Sequence, residues 1–299
     1  MPKTKLLMKS SLVFILIMGV FSPLFQSPVN AQTTAAKSTW LWHTDEIIQN
    51  SAEIIDFATQ NGVKTIYLQI NKDIADQYYI NFIKSATEKG VQVYALDGAP
   101  DWVSPKGGVY QDQFFNWLTN YQSKVQPNER FTGVHLDIEP YIYSGWKTNY
   151  KKTVHAYQTL ISKASLSSKS LGLTFAADIP FWFDEQTYRN TFGKGNLASW
   201  VISKTDSTTI MAYRDQAVGP NGIIELVRYE MNEAKRQGKK IEIAVETLQS
   251  SEGNFLSFYE EGRAHMNSQL SLVETEYEGY TSFHGFGIHY LQSWMNLKP

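Results

Sequence analysis

Two carboxylates two positions apart, Asp137 and Glu139, end an apolar alternation in Phe131–Tyr141, FTGVHLDIEPY. In a β-strand, residues two apart share a face. His135, Asp137 and Glu139 then point one way, and Val134, Leu136 and Ile138 the other. The two acids would sit roughly 6–7 Å apart along the backbone. Carboxyl groups so placed raise each other's proton affinity, which keeps one protonated near neutral pH. One protonated and one ionised carboxyl side by side can carry out general acid–base chemistry. An exposed acidic strand end would look the same, and the surrounding elements decide between the two.

Those elements alternate. Candidate strands are Ser38–His43, Lys64–Asn71, Val91–Asp97, the opening stretch, Leu171–Asp178, Ser207–Tyr213, Lys240–Glu246 and Phe283–Tyr290. Helical spacing fills the gaps over Asp45–Gln60, Ile74–Lys89, Gln111–Val125, Asn149–Ser165, Leu197–Ser203, Gly222–Gln237 and Phe255–Leu272. Helix stops stand at Asn61-Gly62, Gly90 and Gly238. Strands alternating with helices make a parallel sheet, and eight such units in about 260 residues close most simply into a (β/α)8 TIM barrel. An open doubly wound sheet would carry a glycine-rich first turn, and WHTDEI is not one. The reading is a single α/β domain over 38–299.

The chain has 299 residues, and its start reads as a leader. Lys3, Lys5 and Lys9 precede an apolar run, Leu12–Phe21, and Val29-Asn30-Ala31 offers a small-residue cleavage site. This is the pattern of a secretory signal peptide over 1–31, followed by a flexible lead-in over 32–37. The apolar run falls short of the roughly 20 residues that span a bilayer, so a secreted or cell-wall-associated protein without a stable membrane span is expected. Cysteine is absent, which excludes disulfides, thiol chemistry and Cys-ligated metals. A net charge of −2 without a basic stripe argues against a nucleic-acid partner. No cofactor or bound metal is expected.

In such barrels the active site gathers at the C-terminal ends of the strands. Those ends carry Trp42 and His43, Gln69 and Asn71, Asp97, Asp137 and Glu139, Asp178, Tyr213 with Arg214 and Asp215, Glu246, and His289. Trp102, Trp146, Trp182 and Trp294 fall in the segments that follow strands. Aromatic faces beside carboxylates suit a carbohydrate, whose C–H faces pack on rings while its hydroxyls bond Asp, Asn and Gln.

FTGVHLDIEPY resembles the fourth-strand signature of glycoside hydrolase family 18, the chitinase-like barrels, DGxDxDxE, through Gly133, Asp137 and Glu139. Met211–Tyr213, MAY, looks like that family's sixth-strand M-x-Y. The resemblance implies a glycosidase acting on an amino-sugar polysaccharide such as chitin, peptidoglycan or poly-N-acetylglucosamine. Glu139 would be the general acid, Asp137 would steer the substrate's acetamido group, and Tyr213 would help hold that group. Thr132 and His135 stand at the signature's two earlier Asp positions, and Arg214 where an Asp would follow the Tyr. Trp182 and Trp294 would supply stacking faces, while Asp178, Glu246, Gln69 and Asn71 would contact hydroxyls. Three other readings share these residues. A retaining glycosidase could pair Glu139 with Glu246; the barrel could bind sugar without catalysis; or His43, His135, His289, Asp137 and Asp178 could hold a metal.

Overall fold

The described residues form ten strands: β1 (Lys37–Leu41), β2 (Val63–Gln69), β3 (Gln92–Asp97), β4 (Gly133–Leu136), β5 (Thr174–Pro180), β6 (Thr187–Asn190), β7 (Gly193–Asn196), β8 (Ser207–Met211), β9 (Lys240–Glu246) and β10 (Phe283–His289). All but β6 and β7 are parallel and close into one barrel in the order β1-β10-β9-β8-β5-β4-β3-β2. Helices fill the crossovers, so the fold is the (β/α)8 barrel that the alternation implies. The computed structural model describes residues 33–299, and the expected leader at 1–31 lies outside them. Among the described residues no helix is long and apolar enough to cross a membrane. The lead-in expected to be flexible is tied down at Thr34, whose N–H and hydroxyl donate to Glu274 at 3.0 and 2.7 Å.

Two apolar layers follow from the strand period. Outward residues such as Leu41, Ile66, Leu68, Val93, Val134, Leu136, Ile210 and Ile243 pack on the helices, each buried aliphatic side chain stabilising by about 1.5–3 kcal/mol. Inward residues Trp40, Tyr67, Leu96 and Ala244 fill the lumen, with Tyr94, Tyr213 and Trp42 packed against them. Register sets these neighbours: Trp40 pairs with Tyr67, Tyr67 with Tyr94, and Tyr94 with Gly133. A Cβ at Gly133 would lie 2.5 Å from the Tyr94 ring, so only glycine leaves that ring its place.

Several boundaries differ from the expectation. Strand β4 stops at Leu136 because its ladder to β3 ends at the Asp97–Leu136 pair, which puts Asp137 and Glu139 just beyond it. The helix expected over Gly222–Gln237 is two, Ile223–Leu226 and Arg228–Gln237. The helix expected over Phe255–Leu272 runs from Arg263 to Tyr277. Gly253 and Gly262 precede it at φ +151° and +90°, conformations that hold the chain in an irregular loop. The β6–β7 hairpin was not expected, because its four-residue strands, TYRN and GKGN, are too short and polar to show a pattern.

Candidate active site

The floor of the lumen is a buried polar layer. His135 on β4 and Asp178 on β5 face each other with Nε2 and Oδ2 2.8 Å apart. Trp40 Nε1 donates to the same Asp178 oxygen at 3.4 Å. Tyr67 stacks on His135 at 3.8 Å between ring centres and donates its hydroxyl to Glu242, 2.9 and 3.0 Å from the two oxygens. Thr209 adds a donor to Glu242 at 3.3 Å. Burial dominates the electrostatics here. It lowers the His135 pKa to about 3, against an opposing pull from Glu242. It raises Asp178 well above the usual carboxylate range, and the charges of Glu242 and Glu139 add to the shift. Burial thus disfavours charge on both partners of the His135–Asp178 contact.

Asp137 and Glu139 stand one level higher. The inward alternation survives the end of β4 because Asp137 N–H still bonds the Asp97 carbonyl at 3.1 Å, while Ile138 stays buried on the outer side. Gly98, at φ +148°, passes so close that a Cβ there would meet the Asp137 carbonyl oxygen at 2.1 Å. Asp137 also sits well above the usual carboxylate range, first through burial, then through the charges of Asp178 and Glu139. Its Oδ1 is buried without a partner. Glu139 accepts a hydrogen bond from the Tyr141 hydroxyl, and both line a groove of about 450 Å³ with Trp182, Tyr213, Arg214 and Glu246. The loop Leu248–Glu252 forms its far wall.

Glu246, at the end of β9, is fully committed. Its Oε1 accepts from the backbone N–H groups of Thr247 and Leu248, both at 2.7 Å. Its Oε2 lies 2.7 Å from His289 Nδ1. Trp42 Nε1 donates to His289 Nε2 at 3.0 Å, and because an indole N–H can only donate, the histidine proton belongs on Nδ1. Burial works against a charge on His289, but the Glu246 hydrogen bond, with Glu246, Asp137 and Asp178, outweighs it and raises the pKa. A charged His289 would have to release Trp42.

The remaining expected residues separate. Trp42, Gln69, Asn71 and Asp97 line a second, shallower depression of about 550 Å³ at the ends of β1–β3. There Gln69 donates to Asp97 at 3.2 Å, and burial raises the Asp97 carboxyl pKa. Asp178 lies beneath the groove rather than on its wall, 3% exposed, so it reaches no substrate hydroxyl directly. Trp294 departs from its expected stacking role: it is 1% exposed and packs edge-on against Phe57, so it offers no stacking face. Asp215 is held by its backbone, N–H to Phe255 and carbonyl to His265, away from the groove lining. Tyr141, Phe181, Tyr67 and Glu242 were missed. Tyr141 follows Glu139 by the same two-residue step, a signal that was available. Glu242 and Ala244 share a face with Glu246 on β9, so Glu242 was legible as lumenal too. Among the described residues no three His, Asp or Glu side chains converge on a metal position. The metal reading fails because His43 is exposed, His135 lies in the floor and His289 is taken by Glu246 and Trp42.

No family model matches this chain, and no curated protein matches it. Solved structures do resemble it. A chitinase from Bacteroides thetaiotaomicron is 11% identical, over 87% of this chain and 91% of that one, with a TM-score of 0.57. A GH18 chitinase from Cycas revoluta in complex with (GlcNAc)3 is 9% identical, over 87% and 96%, with a TM-score of 0.54. The spore cortex-lytic enzyme SleL of Bacillus cereus is 12% identical, over 88% and 74%, with a TM-score of 0.52. The shared feature is the (β/α)8 barrel. At these identities the likeness is one of fold, and the chemistry must be argued from this chain's own residues.

Proposed function

We propose that the protein hydrolyses a glycosidic bond in an amino-sugar polymer, with Glu139 as the acid that protonates the leaving oxygen. The observation that carries this reading is the arrangement of acids. Glu139 lines an open groove beside Tyr213 and Trp182, close enough to Asp137 and Asp178 for its charge to help burial raise both of their carboxyl pKa values. A protonated Asp137 can donate a hydrogen bond, either to Glu139 or to a substrate amide oxygen, and its unpartnered Oδ1 has a use only when such a group arrives. Trp182 supplies a stacking face, supported edge-on by Tyr141 at 5.0 Å. Tyr213, its own proton held firmly by burial and by Glu246, is a donor to the reacting sugar. The chitinase-type barrel and the Gly133, Asp137, Glu139 signature support the same substrate class.

The two-glutamate mechanism fits less well. A nucleophilic Glu246 needs an oxygen free to attack, yet both are engaged by two amides and an imidazole, an arrangement that stabilises a spectator carboxylate. The testing experiment compares wild type with Glu139→Gln on chitin oligomers and peptidoglycan fragments, following product release and binding together. Hydrolysis by wild type and binding without hydrolysis by the variant support the proposal. Binding without product from wild type would identify a sugar-binding barrel, and full rate in Glu139→Gln would remove the acid assignment.

A further inference from the structure

Among the described residues, Arg214 is the only cation on a groove wall that carries Glu139, Glu246 and Glu252. Its guanidinium lies between the rings of Phe181 and Phe255, 5.2 and 5.4 Å from their centres. Nη1 donates to the Tyr213 carbonyl at 2.7 Å, which fixes the plane of the fork. None of the groove acids lies within ion-pairing distance of it, and no hydrogen bond among the described residues uses Nη2. Two aromatic faces and one carbonyl thus hold a charged fork rigid while leaving an edge without a protein partner. An arginine held this way is suited to paired hydrogen bonding with a planar anion.

A second observation lies beyond the groove. Aromatic rings continue from the Glu139 partner Tyr141 through Trp182, Trp146 and Tyr150, with centre separations of 5.0, 6.2 and 4.8 Å. Tyr150 borders a pocket of about 640 Å³ between the helix Tyr150–Ser170 and the β6–β7 hairpin, whose lining includes Lys151, Arg189 and Lys194 and no acid. Arg189 and Lys194 stand directly opposite each other across the hairpin, a like-charge pair that costs stability unless an anion lies nearby. A cluster of positive charge therefore lies at the far end of an aromatic track that begins at Tyr141, the partner of Glu139.

We infer that the groove selects an amino-sugar chain that carries carboxylate groups, with Arg214 pairing the carboxylate of a sugar bound beside Glu139. The inference rests on the proposed glycosidase reading and names its substrate class. A singly charged, planar carboxylate suits the site better than a phosphate, because Glu246 and Glu252 share the groove and repel the larger charge. The carboxylate can come from an acidic ether substituent on the amino sugar or from a uronic acid alternating with it, and the shared chemistry is the same. Arg214 is here a specificity residue, separate from the protonation of the leaving oxygen.

The test measures a ratio. Chains of N-acetylglucosamine alternating with N-acetylmuramic acid, and hyaluronan fragments, are each compared with their carboxyl-reduced forms, using kcat/KM for wild type, Arg214→Gln and Arg214→Lys. Wild type is expected to prefer at least one carboxylated chain about tenfold over its reduced form, Arg214→Gln to bring that ratio near one, and Arg214→Lys to keep part of it. Which chain shows the preference identifies the source of the carboxylate. Because each protein is compared with itself, a general loss of activity or folding cancels. The same ratio read from binding to Glu139→Gln protein needs no turnover, so it stands apart from any failure of the glycosidase reading. A wild-type ratio of one on both chains, or an undiminished ratio in Arg214→Gln, would overturn the inference.

Discussion

Replacing Asp178 by Asn should make the protein more stable at neutral pH. Asp178 is buried against His135, Trp40 and the charge of Glu242, and burial first, then Glu242, raises its pKa well above the usual range. The native state therefore holds a proton that the unfolded chain releases above about pH 4. The unfolding free energy must then fall as pH rises from that point to the native pKa, by about 1.4 kcal/mol per pH unit. Asn resembles the protonated carboxyl in shape and does not titrate, so the variant escapes this loss. For a fold of about 270 residues, 1.4 kcal/mol corresponds to about 2–3 °C in Tm. Thermal unfolding followed by circular dichroism from pH 4 upward should show the two proteins diverging at about that rate per pH unit until the native pKa of Asp178 is reached, with wild type the lower. Parallel curves, or a variant less stable at every pH above 6, would show that Asp178 enters the folded state ionised, and the protonated floor would be refuted.

Three further outcomes follow from the same geometry. Glu246→Gln should lower kcat about 10-fold by disturbing the His289 tautomer and its Trp42 bond; a loss on the order of 10⁴ in single-turnover assays would instead mark Glu246 as the nucleophile. Trp182→Ala should raise KM for oligosaccharides about 5- to 10-fold with a smaller change in kcat, checked by steady-state kinetics. Gly98→Ala forces a Cβ into the Asp137 carbonyl at a positive φ, so its denaturant midpoint should drop by the equivalent of about 3 kcal/mol.

The barrel was legible because each strand and helix repeats its period within a few residues, and Ile54, Ile55, Val134 and Leu136 sit where that period puts them. The inward direction of His135, Asp137 and Glu139 was legible for the same reason. Depth was not. Nothing local distinguishes Asp178, sunk in the floor, from Glu139, open to the groove, because depth depends on how far each strand rises relative to its neighbours. Trp294 misled because a tryptophan after the last strand can face the lumen or the outer core, and the short helix Leu291–Met295 turns it outward. The helix expected from Phe255 begins only at Arg263, because Gly253 and Gly262 hold the segment before it in a loop that the apolar spacing does not show.

The central claim is that Glu139 protonates the departing oxygen, and dependence on the leaving group tests it most directly. Glu139→Gln should be assayed on N-acetylglucosamine oligosides bearing a sugar or a dinitrophenyl group at the scissile position. A dinitrophenolate leaves without a proton, whereas a sugar alkoxide does not. The variant should therefore stay within a fewfold of wild type on the dinitrophenyl substrate, and fall by roughly 10²–10⁴ on the sugar substrate. Equal losses on both, or no loss on either, would contradict the account.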